Sequence, residues 1–380
     1  MRVPFNLSSV GERELSAVSR AIDNGWLSGN GPFGKSAEQK LSTIHEGSGV
    51  LLTSSCTSAL EMAVRLLGAE PGSEVIVPSW TFVTTASAVV AGGLVPVFAD
   101  IDPESLGVSR ETVESVITEK TVGIMAVHYG GFPADPEGLK SLSVSAGVSL
   151  IEDNAHGLGN RSDATGQTIG TFGSMSTLSF HETKNISCGE GGALVVNDPS
   201  LMARAEILRE KGTDRAAFSR GIVDKYTWRD LGSSWVLSEV QAAILDTQLD
   251  RIEELQRGRR VIWETYRARL LDWACAQEVQ LPSARLGSSH HNFFLIFPEE
   301  SSVEPFIEHM KKQGVQAVRH YEPLHQSPYA VEALGIHVNL PVTERVSAGL
   351  VRLPLYFGLS AEEVEHVVVS VQSFPVGVSE

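Results

Sequence analysis

Lys184 stands alone between an apolar run at residues 175–180 and a loop holding Gly189, Gly191 and Gly192, which leads into a second apolar run. A lysine in that setting falls at a strand end, where clefts form. Desolvation there lowers the pKa of the amine and frees it to attack a carbonyl and form a Schiff base. Local context alone favours the plainer reading of a solvated loop lysine. Upstream, the stretch LIEDNAHG at 150–157 places Asp153 at the end of another predicted strand, just past two apolar residues and Glu152. A carboxylate buried there needs a cationic partner. A protonated pyridine nitrogen would supply one, and the charge-assisted bond would keep such a ring an electron sink for a carbanion. A helix N-cap is the competing role for Asp153, and the two roles are compatible.

A third stretch, VLLTSSCTSALEMAVRLLG at 50–68, runs Thr53, Ser54, Ser55, Thr57 and Ser58 straight into an amphipathic helix. The unpaired amides of a helix start, with the helix dipole, form an anion site able to hold a phosphate. Ser179, just before Lys184, is a further donor for the same phosphate. For Thr57 and Ser58 a plain helix cap is the alternative. Cys56, in the same run, reads as a small packing residue of this site rather than a nucleophile. In PSWTFVTTASAV at 78–89, Trp80 and Phe82 follow a strand and precede a helix. An aromatic face there can stack on a flat ring, and Phe82 is the candidate, although core packing is the commoner fate of an aromatic.

Such groups meet only if one sheet brings several strand ends to a single edge. Short β-branched runs at 74–78, 96–100, 123–127, 148–153, 175–180 and 193–197 alternate with helical patterns. That rhythm predicts an α/β domain with a mostly parallel sheet, helices on both faces and ligands beyond the strand ends. From about 199 to 275 the pattern turns helical, and 240–273 reads as one long helix linking two lobes. A strand at 292–297, a helix at 303–314, a short strand near 316–319 and a final helix from 361 predict a smaller α+β lobe. The expected division is a large domain at 1–250 and a small C-terminal domain at 251–380, which a chain of 380 residues accommodates.

A formal charge of -16, with no lysine- or arginine-rich run and no zinc-ligand spacing, argues against nucleic acid, anionic membranes and bound metal. An anionic substrate would need a local basic pocket. Cys56, Cys188 and Cys275 fit neither a disulfide framework nor a metal site and predict reduced thiols. The opening residues lack a signal-peptide pattern and no apolar run is long enough to span a bilayer, so a cytoplasmic protein is expected.

These stretches, in this order, resemble the sugar aminotransferases of the fold-type I pyridoxal-phosphate class, the DegT/DnrJ/EryC1/StrS family. The resemblance runs across nearly the whole chain and includes GWLSGNGP (25–32), PSWTFVTTASA, ADIDPESL (99–106), VHYGG (127–131), IEDNAHG, SFHETKN, LSEVQAA (237–243), RHYEPLH (319–325) and RLPLY (352–356). It implies an aspartate-aminotransferase-like fold and pyridoxal 5′-phosphate as cofactor, with pyridoxamine phosphate as its intermediate form. The cofactor-binding set would be Lys184, Asp153, His156, Cys56, Thr57, Ser58, Phe82 and Ser179, joined by Ser234 from a neighbouring subunit of a homodimer. Two departures stand out. Many relatives carry Asn and Arg where this chain has Ser234 and Val236, and Gln is usual where it has His156. A titrating imidazole at 156 would bring a pH dependence that Gln lacks.

Within the family, the block at 210–243 is similar to the subgroup acting at C4 of dTDP-4-keto-6-deoxyglucose, which shares the Ser-Ser pair at 233–234. That likeness implies L-glutamate as donor, with 2-oxoglutarate and a dTDP-4-amino-4,6-dideoxyhexose of galacto or gluco configuration as products. Candidate substrate residues are Lys225 and Arg220 for the diphosphate, then Tyr226, His320, Tyr321 and His325. Tyr321 and His325 have lobe packing as an alternative, Arg215 reads as surface charge, and His128 is either a core histidine or a ligand. Transfer to C3 of a 3-keto sugar is the alternative reaction. A pyridoxamine-dependent dehydratase is disfavoured because those relatives replace the lysine, here Lys184, by histidine.

Overall fold

Strand-forming runs in the first 200 residues are apolar at successive positions, and the fold covers them on both sides. In the computed structural model, which describes residues 1–284 and 287–375, seven strands form one sheet. Their order is β1 (Gly49–Thr53), β7 (Gly192–Val196), β6 (Met175–Ser179), β5 (Ser149–Asp153), β4 (Thr121–Val127), β2 (Glu74–Pro78), β3 (Val95–Ala99). Pairings from β6 through to β3 are parallel, whereas β7 runs antiparallel to both β6 and β1. Leu51, Val75, Val77, Met125, Ile151 and Leu194 enter one core with the helices Cys56–Leu66 and Val83–Ala91. On the opposite face Leu52, Leu178 and Val195 meet the helices Pro32–Ile44 and Glu239–Asp250, and Ile76, Ile124 and Leu150 meet the helix Pro136–Ala146. Each such side chain contributes roughly 1.5–3 kcal/mol of burial, so the sheet is a firm frame for the loops at its ends.

The mostly parallel sheet expected from the sequence is present, and its six anticipated strands fall within two residues of their expected limits. β1 was not anticipated, although Gly47 and Ser48 mark a turn before it, because its apolar run continues directly into the hydroxyl-rich helix start. The single long helix expected at 240–273 is two helices, Glu239–Asp250 and Ile252–Ala276, broken at Arg251 (φ -107°, ψ 8°). The first packs on the helices Glu12–Asp23 and Pro32–Ile44 and the second on Ala361–Gln372, so the break lets each follow its own partner. Nor is 199–275 helical throughout. After the short helix Arg215–Ser219, the chain doubles back through isolated bridges pairing Thr213 with Trp228 and Glu210 with Ser234. Gly212 (φ 75°) permits this crossing, since a Cβ there would sit 1.9 Å from the Asp230 carbonyl oxygen.

A second sheet, antiparallel, has the order β8 (Phe293–Ile296), β10 (Leu350–Leu353), β9 (Val318–Arg319). Its Phe293, Leu295, Leu350 and Val351 share one core with Trp80, Tyr129 and Phe132 from loops of the large sheet. Among the described residues no group of His, Cys, Asp and Glu is arranged to hold a metal ion, and no helix is long and apolar enough to cross a membrane.

Candidate active site

Register decides which residues meet. Thr53 pairs with Gly192 and Gly192 with Ser179, while Asp153 pairs with Thr177 on one side and Val127 on the other. The ends of β4, β5 and β6 and the start of β7 therefore lie along one edge, and a cavity of about 460 Å³ opens beyond it, closed from the other side by residues of the second sheet. Lys184, Asp153, His156, Cys56, Thr57, Phe82, Ser179, His320 and Tyr321 all line it.

Lys184 sits on the β6–β7 loop, which folds on itself through backbone bonds from Cys188 to Phe180 and from Glu182 to Gly189, both 2.9 Å. The next residue, Asn185, donates to the Ser289 carbonyl at 2.8 Å and pairs with His291 Nδ1 at 3.0 Å, which ties the loop to the segment leading into β8. Lys184 is half-buried rather than solvated. Desolvation pushes its amine down to about 8, the positive charge of Arg352 adding to the effect and the Asp153 carboxylate opposing it.

Asp153 is buried at the end of β5. Thr85 Oγ1 donates to its Oδ2 at 2.8 Å and the Ala155 amide to its Oδ1 at 3.2 Å, and Thr81 Oγ1 lies 2.7 Å from Thr85 Oγ1. Because the Thr85 proton points at the carboxylate, Thr81 donates to Thr85, and a two-hydroxyl relay orients Asp153. Burial nevertheless raises the carboxyl pKa, so the group still lacks the cation its setting calls for. Its neighbour Glu152 is spent on structure: it accepts from the Gly170, Phe172 and Gly173 amides at 2.7–2.9 Å and pairs with His128. His128 also accepts from the Ala134 amide, which makes it a satisfied core histidine.

His156 is held in one tautomer. Its Nδ1 accepts the Gly130 amide at 3.1 Å, leaving the proton on Nε2, and its ring stacks on His291 with centroids 4.1 Å apart. Burial, with Lys184 and Arg352 nearby, holds its pKa well below the usual histidine value. That lowering favours the neutral imidazole and runs against the pH dependence expected from a titrating side chain at this position.

At the far wall the helix Cys56–Leu66 begins. Ser55 caps it by accepting the Ser58 amide at 3.1 Å, and Ser55, Cys56 and Thr57 line the cavity. A Cβ on Gly192 would lie 2.4 Å from the Cys56 nitrogen, so glycine alone lets β7 lie against this helix start. Ser58 is buried, its hydroxyl 3.0 Å from those of Ser54 and Ser55. Burial raises the Cys56 thiol pKa, which keeps it a thiol. Phe82 is exposed at the cavity rim, 6.3 Å from Tyr321 between ring centroids, while Trp80 is fully buried.

The remaining candidates lie elsewhere in the isolated chain. His325 is buried between Ser79 (2.7 Å) and Glu344 (3.2 Å). Arg220 forms a two-point pair with Glu206, Tyr226 packs edge-on against Phe218, and Lys225 is exposed. Ser234 is held in the doubled-back segment. Arg352 and His291 on the cavity wall, and Thr85 behind Asp153, are site residues that the sequence patterns did not single out. For Thr85 the one available signal was its spacing of one helical turn from Thr81.

A buried carboxylate, a desolvated amine and a helix start line one cavity. That set fits the ring nitrogen, aldehyde and phosphate of pyridoxal phosphate, with His156 Nε2 as a neutral donor. The model of the DegT/DnrJ/EryC1/StrS aminotransferase family matches residues 8–372. Among solved structures, the aminotransferase TlmJ from Streptoalloteichus hindustanus is 31% identical, with 98% of each chain covered and a TM-score of 0.89. NtdA from Bacillus subtilis, solved with bound cofactor PMP, is 25% identical over 97% of this chain and 84% of its own, with a TM-score of 0.87. PseC from Helicobacter pylori, at 24% identity, 98% coverage of each chain and a TM-score of 0.89, matches in fold. The chain thus belongs to the DegT/DnrJ/EryC1/StrS aminotransferase family and is a pyridoxal-phosphate-dependent sugar aminotransferase.

Proposed function

We propose that the protein transfers the amino group of L-glutamate to C4 of dTDP-4-keto-6-deoxy-D-glucose, yielding a dTDP-4-amino-4,6-dideoxyhexose and 2-oxoglutarate. The observation that carries amino transfer is the Lys184 amine and the Asp153 carboxylate on the wall of one cavity. Choice of the C4 sugar is supported by the resemblance at 210–243. Bound pyridoxal phosphate supplies an electron sink for a carbanion next to nitrogen. Asp153 would keep the proton on the ring nitrogen, His156 Nε2 would donate to the phenolic oxygen, and Ser55, Thr57 and Ser179 would hold the phosphate. Lys184 would move a proton to and from the donor's α-carbon and, in the second half, deliver one to sugar C4. Incubation with dTDP-4-keto-6-deoxyglucose and glutamate, followed by NMR of the C4 proton couplings, tests the reaction and reads the configuration. Amination at C3, or no product, would overturn it.

The doubled-back segment leaves Ile222, Trp228 and Leu231 about two-thirds or more exposed, at 68%, 78% and 70%. Apolar exposure of that kind supports a homodimer in which a second copy covers the segment. Ser234, Lys225, Arg220 and Tyr226 would then serve the neighbour's cavity, with 1–250 and 251–380 as the two lobes and the cytoplasm as the setting. On this reading Lys225→Ala raises the KM for the sugar nucleotide about 5–10-fold and leaves that for glutamate within twofold. Equal changes in both would remove Lys225 from the diphosphate site.

The depressed amine gives a pH prediction. Attack on an aldehyde requires neutral Lys184, so attachment of pyridoxal phosphate to the cofactor-free protein should accelerate with rising pH and level off above about 8. Stopped-flow absorbance across pH 6–11, as a convenient range of roughly this width, measures it. An inflection at the value of an ordinary lysine would contradict desolvation at this site.

A further inference from the structure

Residues 288–291, just before β8, hold His156 through both its backbone and its ring. Ser289 Oγ donates to the His156 carbonyl. Ser288 Oγ donates at 3.1 Å to the carbonyl of Gly130, the residue whose amide fixes the His156 tautomer. His290 turns towards Trp263 and meets it edge-on, with ring centroids 5.3 Å apart. His291 turns the other way, onto the cavity wall, where it is 6% exposed and lies within 20° of parallel to the His156 ring. Tyr129 packs edge-on against that same His156 ring, centroids 5.9 Å apart. From behind, Arg259 Nε and Nη2 donate to the carbonyls of His290 and His291, so the segment is fastened on both sides.

Donor and acceptor chemistry gives the state of His291. The Ser289 carbonyl only accepts, so the Asn185 NH2 group faces it at 2.8 Å, and the Asn185 carbonyl oxygen faces His291 Nδ1 at 3.0 Å. His291 Nδ1 therefore carries the proton, and in the neutral ring Nε2 carries a lone pair. Burial, then the His156 ring and the positive charges of Lys184, Arg259 and Arg352, hold the His291 pKa well below the usual histidine value, which favours that neutral ring. Of the two stacked imidazoles only His156 offers an Nε2 proton to the cavity. Its bond from Gly130 selects the tautomer, but one hydrogen bond is a pivot about which a ring can tilt. The face of a second ring removes that freedom. We propose that His291 is a positioning residue: by stacking on His156 and bonding Asn185, it fixes the plane in which His156 offers its proton and ties that plane to the loop carrying Lys184. The inference rests on the reading above, in which His156 Nε2 donates to the phenolic oxygen of the cofactor.

Two measurements test it. In cofactor-free protein carrying isotope-labelled histidine, NMR should find the His291 proton on Nδ1 and the His156 proton on Nε2. His291→Leu should then add motion to the His156 ring, read by relaxation of its carbon-bound protons. In protein loaded with pyridoxal phosphate, visible absorbance is followed against pH. A donor to the phenolic oxygen favours its anionic form and so lowers the pH at which the Lys184-linked cofactor loses its proton. His156→Leu removes the donor and should raise that pH by about one unit, the worth of one hydrogen bond to a charged group. His291→Leu should raise it by a smaller amount, lower kcat about 5–10-fold and leave both KM values within about threefold. His291→Phe, which keeps the ring face and loses the bond to Asn185, should fall between the Leu variant and the wild type. It carries the test if the Leu variant fails to fold, judged by circular dichroism. A His291 proton on Nε2, a His156 ring as rigid in the variants as in the wild type, or an absorbance titration that moves for His156→Leu but for neither His291 variant would overturn the positioning role. A titration unmoved by His156→Leu itself would instead defeat the contact with the phenolic oxygen, and ring relaxation in the cofactor-free protein would still decide His291.

Discussion

Lys184→Ala is expected to lower kcat by about 10⁴-fold or more, because on the proposed assignment one amine would both anchor the cofactor and carry the proton in each half of the reaction. The loss should be chemical rather than structural. The loop that bears Lys184 is held by backbone bonds from Cys188 and Glu182 and by the Asn185 side chain, none of which uses the lysine amine. Asp153, Ser179 and the helix start at Cys56, all on the cavity wall, would on the same proposal still hold the cofactor without a covalent bond. The amount of cofactor retained, the unfolding temperature and the turnover of the variant should therefore separate: the first two close to wild type, the third gone. Turnover at the wild-type level would take the chemistry away from this residue.

Asp153→Asn should reduce kcat by about 10²–10⁴-fold, the effect of removing one member of a buried ion pair from a bound ring. Shape is nearly kept, so the charge is what is tested. In the cofactor-free protein burial raises the carboxyl pKa above its unfolded value. The unfolded chain then ionises more readily, and stability from this group, present at low pH, is lost as pH rises through the folded value. The asparagine variant carries no such loss. Its unfolding temperature relative to cofactor-free wild type should therefore climb as pH increases, while its activity stays low at every pH. A kcat within a few-fold of wild type, or a stability difference that does not move with pH, would show that Asp153 does not face the ring nitrogen as a carboxylate.

Strands of the large sheet were readable because each is a short β-branched run buried on both faces, a pattern that depends on local order alone. β1 and β10 were not: one runs into a hydroxyl-rich helix start, and the other has Arg352 in the middle of four residues. The break at Arg251 was invisible for a different reason. A heptad-like pattern continues through it, and only the separate partners of the two helices show why the chain turns there. Glu152 and Asp153 are adjacent acids at one strand end. Alternation along β5 turns Glu152 to three backbone amides and Asp153 to Thr85, a difference of roles that periodicity anticipates in kind but not in partner.

By itself the sequence determined the α/β class, the strand ends and the side chains that matter at them, since residue type and a period of two survive without any knowledge of neighbours. Lys184 and Asp153 could be named as candidates on that basis, and the resemblance across the matched blocks then favoured the Schiff-base role of Lys184 over a solvated loop lysine. Tertiary structure decided what each group feels. The desolvated Lys184 amine, the single tautomer of His156 against Gly130 and the placing of the Arg352 guanidinium over the Phe5 ring all arise from contacts between segments far apart in the chain. Desolvation and hydrogen-bond pairing depend on the density and direction of atoms in space, and spacing along a chain carries no record of either.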